Sequence, residues 1–310
     1  MADRLAAHAA ALLVEWYGAR TGRDYAFTSS IEGAVPAFVA EAGDSRIAFA
    51  VAQLWEAADD PASELARARM EERLDAGSVH GPFMLWTPPR ASLPSAEPEA
   101  SDFVQRVQRA AAPLRDGGRA EVEFPVPIQL GKLRDEGGYA SVTGGLGRWW
   151  TLITERVNGT FQVNSARMRR APQSAEARER LFERIGQASQ GLNTGDAVEI
   201  DATEAWTLQR LAHVPPGATG FAIAMAPPKT DPADGTLLRR LVRKRLKDAS
   251  AAVAGIDADV TGVALVAIYE YAEHENIGSF VKSLDPSLYA PFQLVAAIAD
   301  GEVRPIFQPR

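Results

Sequence analysis

Apolar positions along this chain switch between two rhythms, one of three to four residues and one of two, and the switches outline a succession of short elements. Over 2–17, Leu5, Leu12, Leu13 and Trp16 recur at helical spacing with Gly18 near the end, which predicts an amphipathic helix with Glu15 beside its apolar stripe. Three extended segments follow at 25–29, 35–41 and 46–54, and Ala42, Gly43 and Asp44 form a turn that joins the last two as a hairpin. A helix at 64–74 and a short buried strand at 83–86 come next, before Pro88 and Pro89. The stretch 90–99, with Pro94 and Pro98 among small residues, reads as a surface connection.

Beyond it the pattern predicts a helix at 101–112 ended by Pro113, and a strand at 120–128. A second hairpin is expected from 149–156 and 160–163, which flank Asn158 and Gly159, a pair suited to the positive φ of a two-residue turn. A charged helix at 174–190 follows. The last third alternates strand (221–225), helix (236–253), strand (262–269), helix (277–284) and a closing strand pair at 292–298 and 303–307. No internal repeat is present. The alternation implies a mixed α/β or α+β architecture.

With 310 residues, 46% of them hydrophobic and 24% charged, the chain is globular, and disorder is excluded. No apolar run reaches the roughly 18 residues that span a bilayer, and Asp3, Arg4 and His8 do not fit a signal peptide, so a soluble cytoplasmic protein with no membrane partner is expected. The absence of cysteine removes disulfides, thiolate metal sites and cysteine nucleophiles. Four scattered histidines argue against a histidine-rich metal site. A net charge of −7 argues against a surface that is basic throughout, while leaving room for a local basic stripe.

The most informative stretch is Pro36-Ala37-Phe38-Val39-Ala40-Glu41, a turn, and then Arg46 to Trp55. Because alternate strand residues share a face, Ile47, Phe49 and Val51 point one way and Ala48, Ala50 and Ala52 the other. One face is bulky and the opposite face bare. This stretch resembles the core of the PD-(D/E)XK nuclease superfamily, the restriction-endonuclease-like fold, in which a helix precedes a hairpin that carries the metal site. That resemblance implies an aspartate after the proline on the first hairpin strand, and an acidic residue, a spacer and a lysine on the second. The matching positions here are Ala37, Ala50 and Ala52, and Glu15 matches an additional helical acid found in parts of the superfamily. In an active relative the two carboxylates would share Mg²⁺ and the lysine would balance charge at the phosphate. Alanine can do none of this, and Glu15 alone is a poor Mg²⁺ ligand set. In a chain with 55 alanines, alanine at all three chemical positions within an intact hydrophobic frame fits either a natural pseudonuclease or deliberate replacement in an active parent.

Other charged and aromatic groups stand apart from this stretch. Arg239, Arg240, Arg243, Lys244 and Lys247 fall on the 236–253 helix, and Arg240, Arg243, Lys244 and Lys247 form a continuous basic ridge that could neutralise phosphates or simply be a solvated face. Arg167, Arg169 and Arg170 make a smaller cluster. The glycine-rich 143–148 loop is expected to lead into a strand, which argues against a phosphate cradle, and Trp149 and Trp150 would then face opposite ways, one of them a possible base-stacking platform. Glu270, Glu273, His274 and Glu275 have spacing that permits metal binding but read as a hydrated loop, and His213 lacks the partners of a hydrolase triad.

The reading that follows is an α/β, restriction-endonuclease-like mixed sheet flanked by helices, with 1–95 and 236–310 as the two parts of the core and 96–235 as a middle α+β insertion. Its expected function is nucleic-acid binding, DNA rather than RNA, by a catalytically inactive nuclease-like protein that needs no cofactor, with Mg²⁺ belonging to an active parent and a homodimer as one arrangement. The competing class is a non-enzymatic protein-interaction or regulatory module, and the discriminating measurement is nucleic-acid binding across a salt series.

Overall fold

A computed structural model of the chain describes residues 3–56, 60–172, 174–227, 235–267 and 276–307. The chain divides into two compact units, one made of residues 1–120 and 207–310 and the other of 121–206. The first is thus assembled from both ends of the chain, and the second is narrower than the 96–235 segment expected from composition.

The first unit begins with helix α1 (Arg4–Thr21), capped at its start by the Asp3 carboxylate, which accepts from the Leu5 N–H at 3.1 Å, and ended by Gly22 in the left-handed conformation. Strands β1 (Ala26–Ile31), β2 (Ala37–Ala42) and β3 (Ser45–Gln53) then form an antiparallel meander, with Gly43 at φ 59° in the tight β2–β3 turn. Helix α2 (Pro61–Asp75), strand β4 (Pro82–Trp86) and helix α3 (Glu99–Ala111) follow. The unit resumes after the second one with strand β9 (Gly220–Ala224), helix α6 (Gly235–Val253), strand β10 (Val260–Val266), helix α7 (Asn276–Ser283), and strands β11 (Leu294–Ala299) and β12 (Glu302–Phe307). Its main sheet has the order β1-β2-β3-β10-β11-β12, with β10 parallel to both β3 and β11, and β12 antiparallel to β11.

The chain crosses from β3 to its parallel neighbour β10 with α6 immediately before that strand, and α6 packs against β3, β10 and β2. Helix α1 packs over the same strip of the sheet and also against β4 and β9. Two helices over one strip take opposite faces of it. The Tyr17 ring of α1 meets the Phe49 ring edge-on at 6.1 Å, so α1 holds the bulky face and α6 the bare one. Enclosure between the main sheet and β4–β9 explains why α1 is not the amphipathic helix its sequence suggests. Every residue from Leu5 to Val14 is buried, including His8, and five of these ten are alanines that let both neighbours approach closely.

The second unit contains strand β5 (Arg119–Arg134), strand β6 (Gly138–Gly144), a 3₁₀ turn at Gly147–Trp149, helix α4 (Trp150–Thr154), strand β7 (Gly159–Ser165), helix α5 (Ala175–Gln190) and strand β8 (Ala197–Arg210), whose last four residues belong to the first unit and pair with β4. Within it β7 is antiparallel to β5 and parallel to β6. Leu130, Ile153, Phe161, Val163, Phe182 and Ile185 form the centre of its core.

The expected hairpin at 149–163 is not formed. Residues 150–154 are helical, because Leu146, Trp149, Ile153 and Val157 recur at spacings of three and four and turn one side inward, where Leu146 and Ile153 are fully buried. The Asn158-Gly159 signal belongs instead to the start of β7, where the Gly159 N–H donates to the Gly137 carbonyl at 2.8 Å and φ is 117°.

Candidate functional site

The hairpin of β2 and β3 sets Ala37 directly across from Ala50 and Val39 across from Ala48, while Phe38 faces Phe49 on the other side. The next strand continues the rows, with Val263 beside Ala50 and Leu265 beside Ala52. Ala37, Ala50 and Ala52 therefore share one face and adjoin one another. That face is sealed. Ala37 and Ala50 are 0% exposed and Ala52 2%, within one cluster that includes Leu238, Val242, Leu246 and Ala249 of α6. Small side chains here let a helix lie close on the sheet, and a carboxylate or ammonium in the same place would lose its hydration without a compensating partner.

Glu15 does not complete this group. It is exposed on α1, the helix on the opposite face of the sheet, and its Oε1 lies against Gly117, where an added Cβ would stand 3.3 Å away. It lines a cavity of about 460 Å³ with His213, Arg23, Asp24 and Tyr25, far from the alanine face in the order of layers. Magnesium does not fit at this hairpin: three alanines offer no ligand, and Glu15 is on the other side of the sheet.

The basic residues of α6 divide by angle. Leu238, Leu241, Val242, Leu246 and Ala249 are buried, whereas Arg239, Arg240, Arg243, Lys244 and Lys247 are exposed on the far side. Arg239 lies over the Phe280 ring at 5.3 Å. Lys244 is bound through Nζ to Glu56 at 2.8 Å, and Arg245, half-buried, reaches the Gln53 and Trp55 carbonyls and the same Glu56. The lysine hydrogen bond and the surrounding cations hold the Glu56 carboxyl below its ordinary range. Arg240, Arg243 and Lys247 remain directed into solvent, separated from Ala37, Ala50 and Ala52 by the thickness of the helix. The ridge and the three alanines do not share a groove.

The remaining candidates have structural roles. The glycine-rich loop leads into the 3₁₀ turn and α4, not into a strand. Gly144 and Gly145 are required by close approach, since a Cβ on Gly144 would lie 2.2 Å from the Ser165 carbonyl oxygen and one on Gly145 2.5 Å from that of Met168. The loop's N–H groups are used internally, Gly145 donating to Met168 O and Leu146 to Ser165 Oγ, both at 3.0 Å. Trp149 is packed between the Arg148 and Arg178 guanidinium groups and beside Phe182, while Trp150 is 46% exposed next to the Tyr139 ring. In the 167–170 cluster Arg170 is buried, and the Arg169 and Arg170 N–H groups donate to Glu204, which also accepts from Trp206 Nε1 at 2.7 Å. Glu270, Glu273, His274 and Glu275 lie outside the described residues.

Sequence reasoning missed the two acids that hold β9. Glu71 and Asp75 on α2 accept from the Ile223 and Phe221 N–H groups of β9 at 2.8 and 2.7 Å, with Arg67 on Glu71 and Arg4 on Asp75. Their i, i+4 spacing on one helix face was the available signal. No helix among the described residues is long and apolar enough to cross a membrane. No family model, curated protein or solved structure matches the chain.

Proposed function

We propose that this is a non-cleaving nucleic-acid-binding protein built on a nuclease-like core. The observation that carries the reading is the register of the hairpin: Ala37, Ala50 and Ala52 meet on one face, in a unit where α1 precedes the antiparallel β1–β3 meander and β10 lies parallel beside β3. A helix before a hairpin with three aligned positions is what the resemblance to PD-(D/E)XK nucleases implies; here alanines fill those positions, and Glu15 departs from the pattern by falling on the opposite face. Binding is assigned to Arg240, Arg243 and Lys247, exposed along α6, in contact with backbone phosphates and without base reading.

The test is binding of labelled duplex DNA and of the matching RNA from about 50 to 200 mM salt. Affinity is expected to fall steeply with salt, to favour DNA, and to be lost when Arg240, Arg243 and Lys247 become alanine. Salt-independent binding, or full binding by the triple variant, overturns the assignment. Separation of the ridge from the hairpin favours a second reading, a protein-interaction module in which the sealed core is only a scaffold. That reading gains if neither nucleic acid binds at low salt.

A further inference from the structure

Residues 240 to 247 extend along about 10 Å of helix axis, enough to meet about three phosphates of one strand. Four exposed cations occupy this span, and Asp248 is the one acid in the helix. One of the four is already satisfied. The Glu56 carboxylate, carried just beyond β3, places Oε1 2.8 Å from Lys244 Nζ and Oε2 3.2 Å from Arg245. A carboxylate bridging an ammonium and a guanidinium occupies the position a bound phosphate would take on the same two donors. Arg245 does not depend on it, since the Gln53 and Trp55 carbonyls also accept from its guanidinium at 2.9 and 3.0 Å.

We infer that Glu56 acts as an internal phosphate mimic that withholds Lys244 from a nucleic-acid backbone, so that the ridge binds with three cations where it could use four. The inference rests on the nucleic-acid reading above and names the contact that limits it. Lys244 is half-exposed and Glu56 about a quarter exposed, so the pair is solvent-screened and weak enough for a polyanion to compete with it. Removing the Glu56 charge releases the lysine without removing the backbone anchors of Arg245.

The experiment measures labelled duplex DNA binding by the full chain and by Glu56→Gln, Lys244→Gln and the double variant, each across the salt series with a thermal melt as the folding control. Glu56→Gln is expected to bind about three- to tenfold more tightly at low salt and to steepen the log–log salt slope by about one. The gain should vanish in the double variant, and Lys244→Gln alone should cost less affinity than Arg243→Gln. Unchanged or weaker binding by Glu56→Gln, while the parent binds through Arg240, Arg243 and Lys247, overturns the inference and leaves the nucleic-acid reading standing. A gain that persists without Lys244, or a Lys244→Gln loss equal to that of Arg243→Gln, also overturns it. Absence of binding by both parent and Glu56→Gln removes the reading and the inference together. Heparin is the second probe, and tightening for heparin but not for DNA overturns nucleic acid as the occupant.

Discussion

His8 shows how far a single position departs from what its residue type suggests. The imidazole is fully buried, and because the Ala218 carbonyl can only accept, the 2.7 Å contact places the proton on Nε2. Burial pushes its pKa down to about 4, against a smaller opposing pull from that carbonyl. Above pH 6.5 neither folded nor unfolded chain holds the extra proton and the full stability is present. Between 6.5 and about 4 the unfolded chain takes up a proton that the folded one refuses, so stability falls by about 3 kcal/mol as pH drops through that window. The stability advantage of the parent over His8→Gln, read from denaturant unfolding, is expected to shrink across the same window. A constant difference would contradict it. Glu71 and Glu204 act with the opposite sign. Burial raises both, so their cost is present above the usual carboxylate range and is relieved as pH falls through their raised values.

Whole elements are decided by which residues are small as much as by which are large. An added Cβ on Gly144 meets the Ser165 carbonyl at 2.2 Å and φ is 83°, whereas Gly43 at φ 59° has nothing within 4 Å. Gly144→Ala is therefore expected to cost about 3 kcal/mol or more, and Gly43→Ala only about 1, by equilibrium unfolding. On the sealed face, Ala50→Glu is expected to destabilise by about 3 kcal/mol or more, and added Mg²⁺ should not restore the melting temperature. Restoration by Mg²⁺ would show that a cation can reach the hairpin. The β2–β3 pairing was legible because alternation and the Gly43-Asp44 turn agree locally. Strand β8 was not, since its inward row of Ile200, Ala202 and Glu204 includes a buried acid that reads as surface. Helix α4 was hidden behind the Asn-Gly pair, and the enclosure of α1 depends on β4 and β9, distant in sequence. The three alanine positions were legible as a group, but their burial under α6 and the isolation of Glu15 depend on which helix takes which face.

At the scale of the molecule, each outer strand is closed by a different device. Strand β1 carries a bulge between Phe27 and Ser29, and β12 has Pro305 together with the Glu302–Arg304 ion pair. In the second unit the Ala140 N–H of β6 donates to Thr154 Oγ of α4 at 3.0 Å. Strand β9 relies on Glu71 and Asp75, whose carboxylates receive the N–H groups of alternate residues as a neighbouring strand would. The segment they screen, Gly-Phe-Ala-Ile-Ala, is uncharged, apolar and free of proline. Replacing both acids by alanine leaves two N–H groups of this edge without acceptors and is expected to cost about 2 kcal/mol or more by equilibrium unfolding. Two side chains on one helix thus take the place of a missing neighbouring strand along this edge, so that hydrogen bonding there is closed from within one unit.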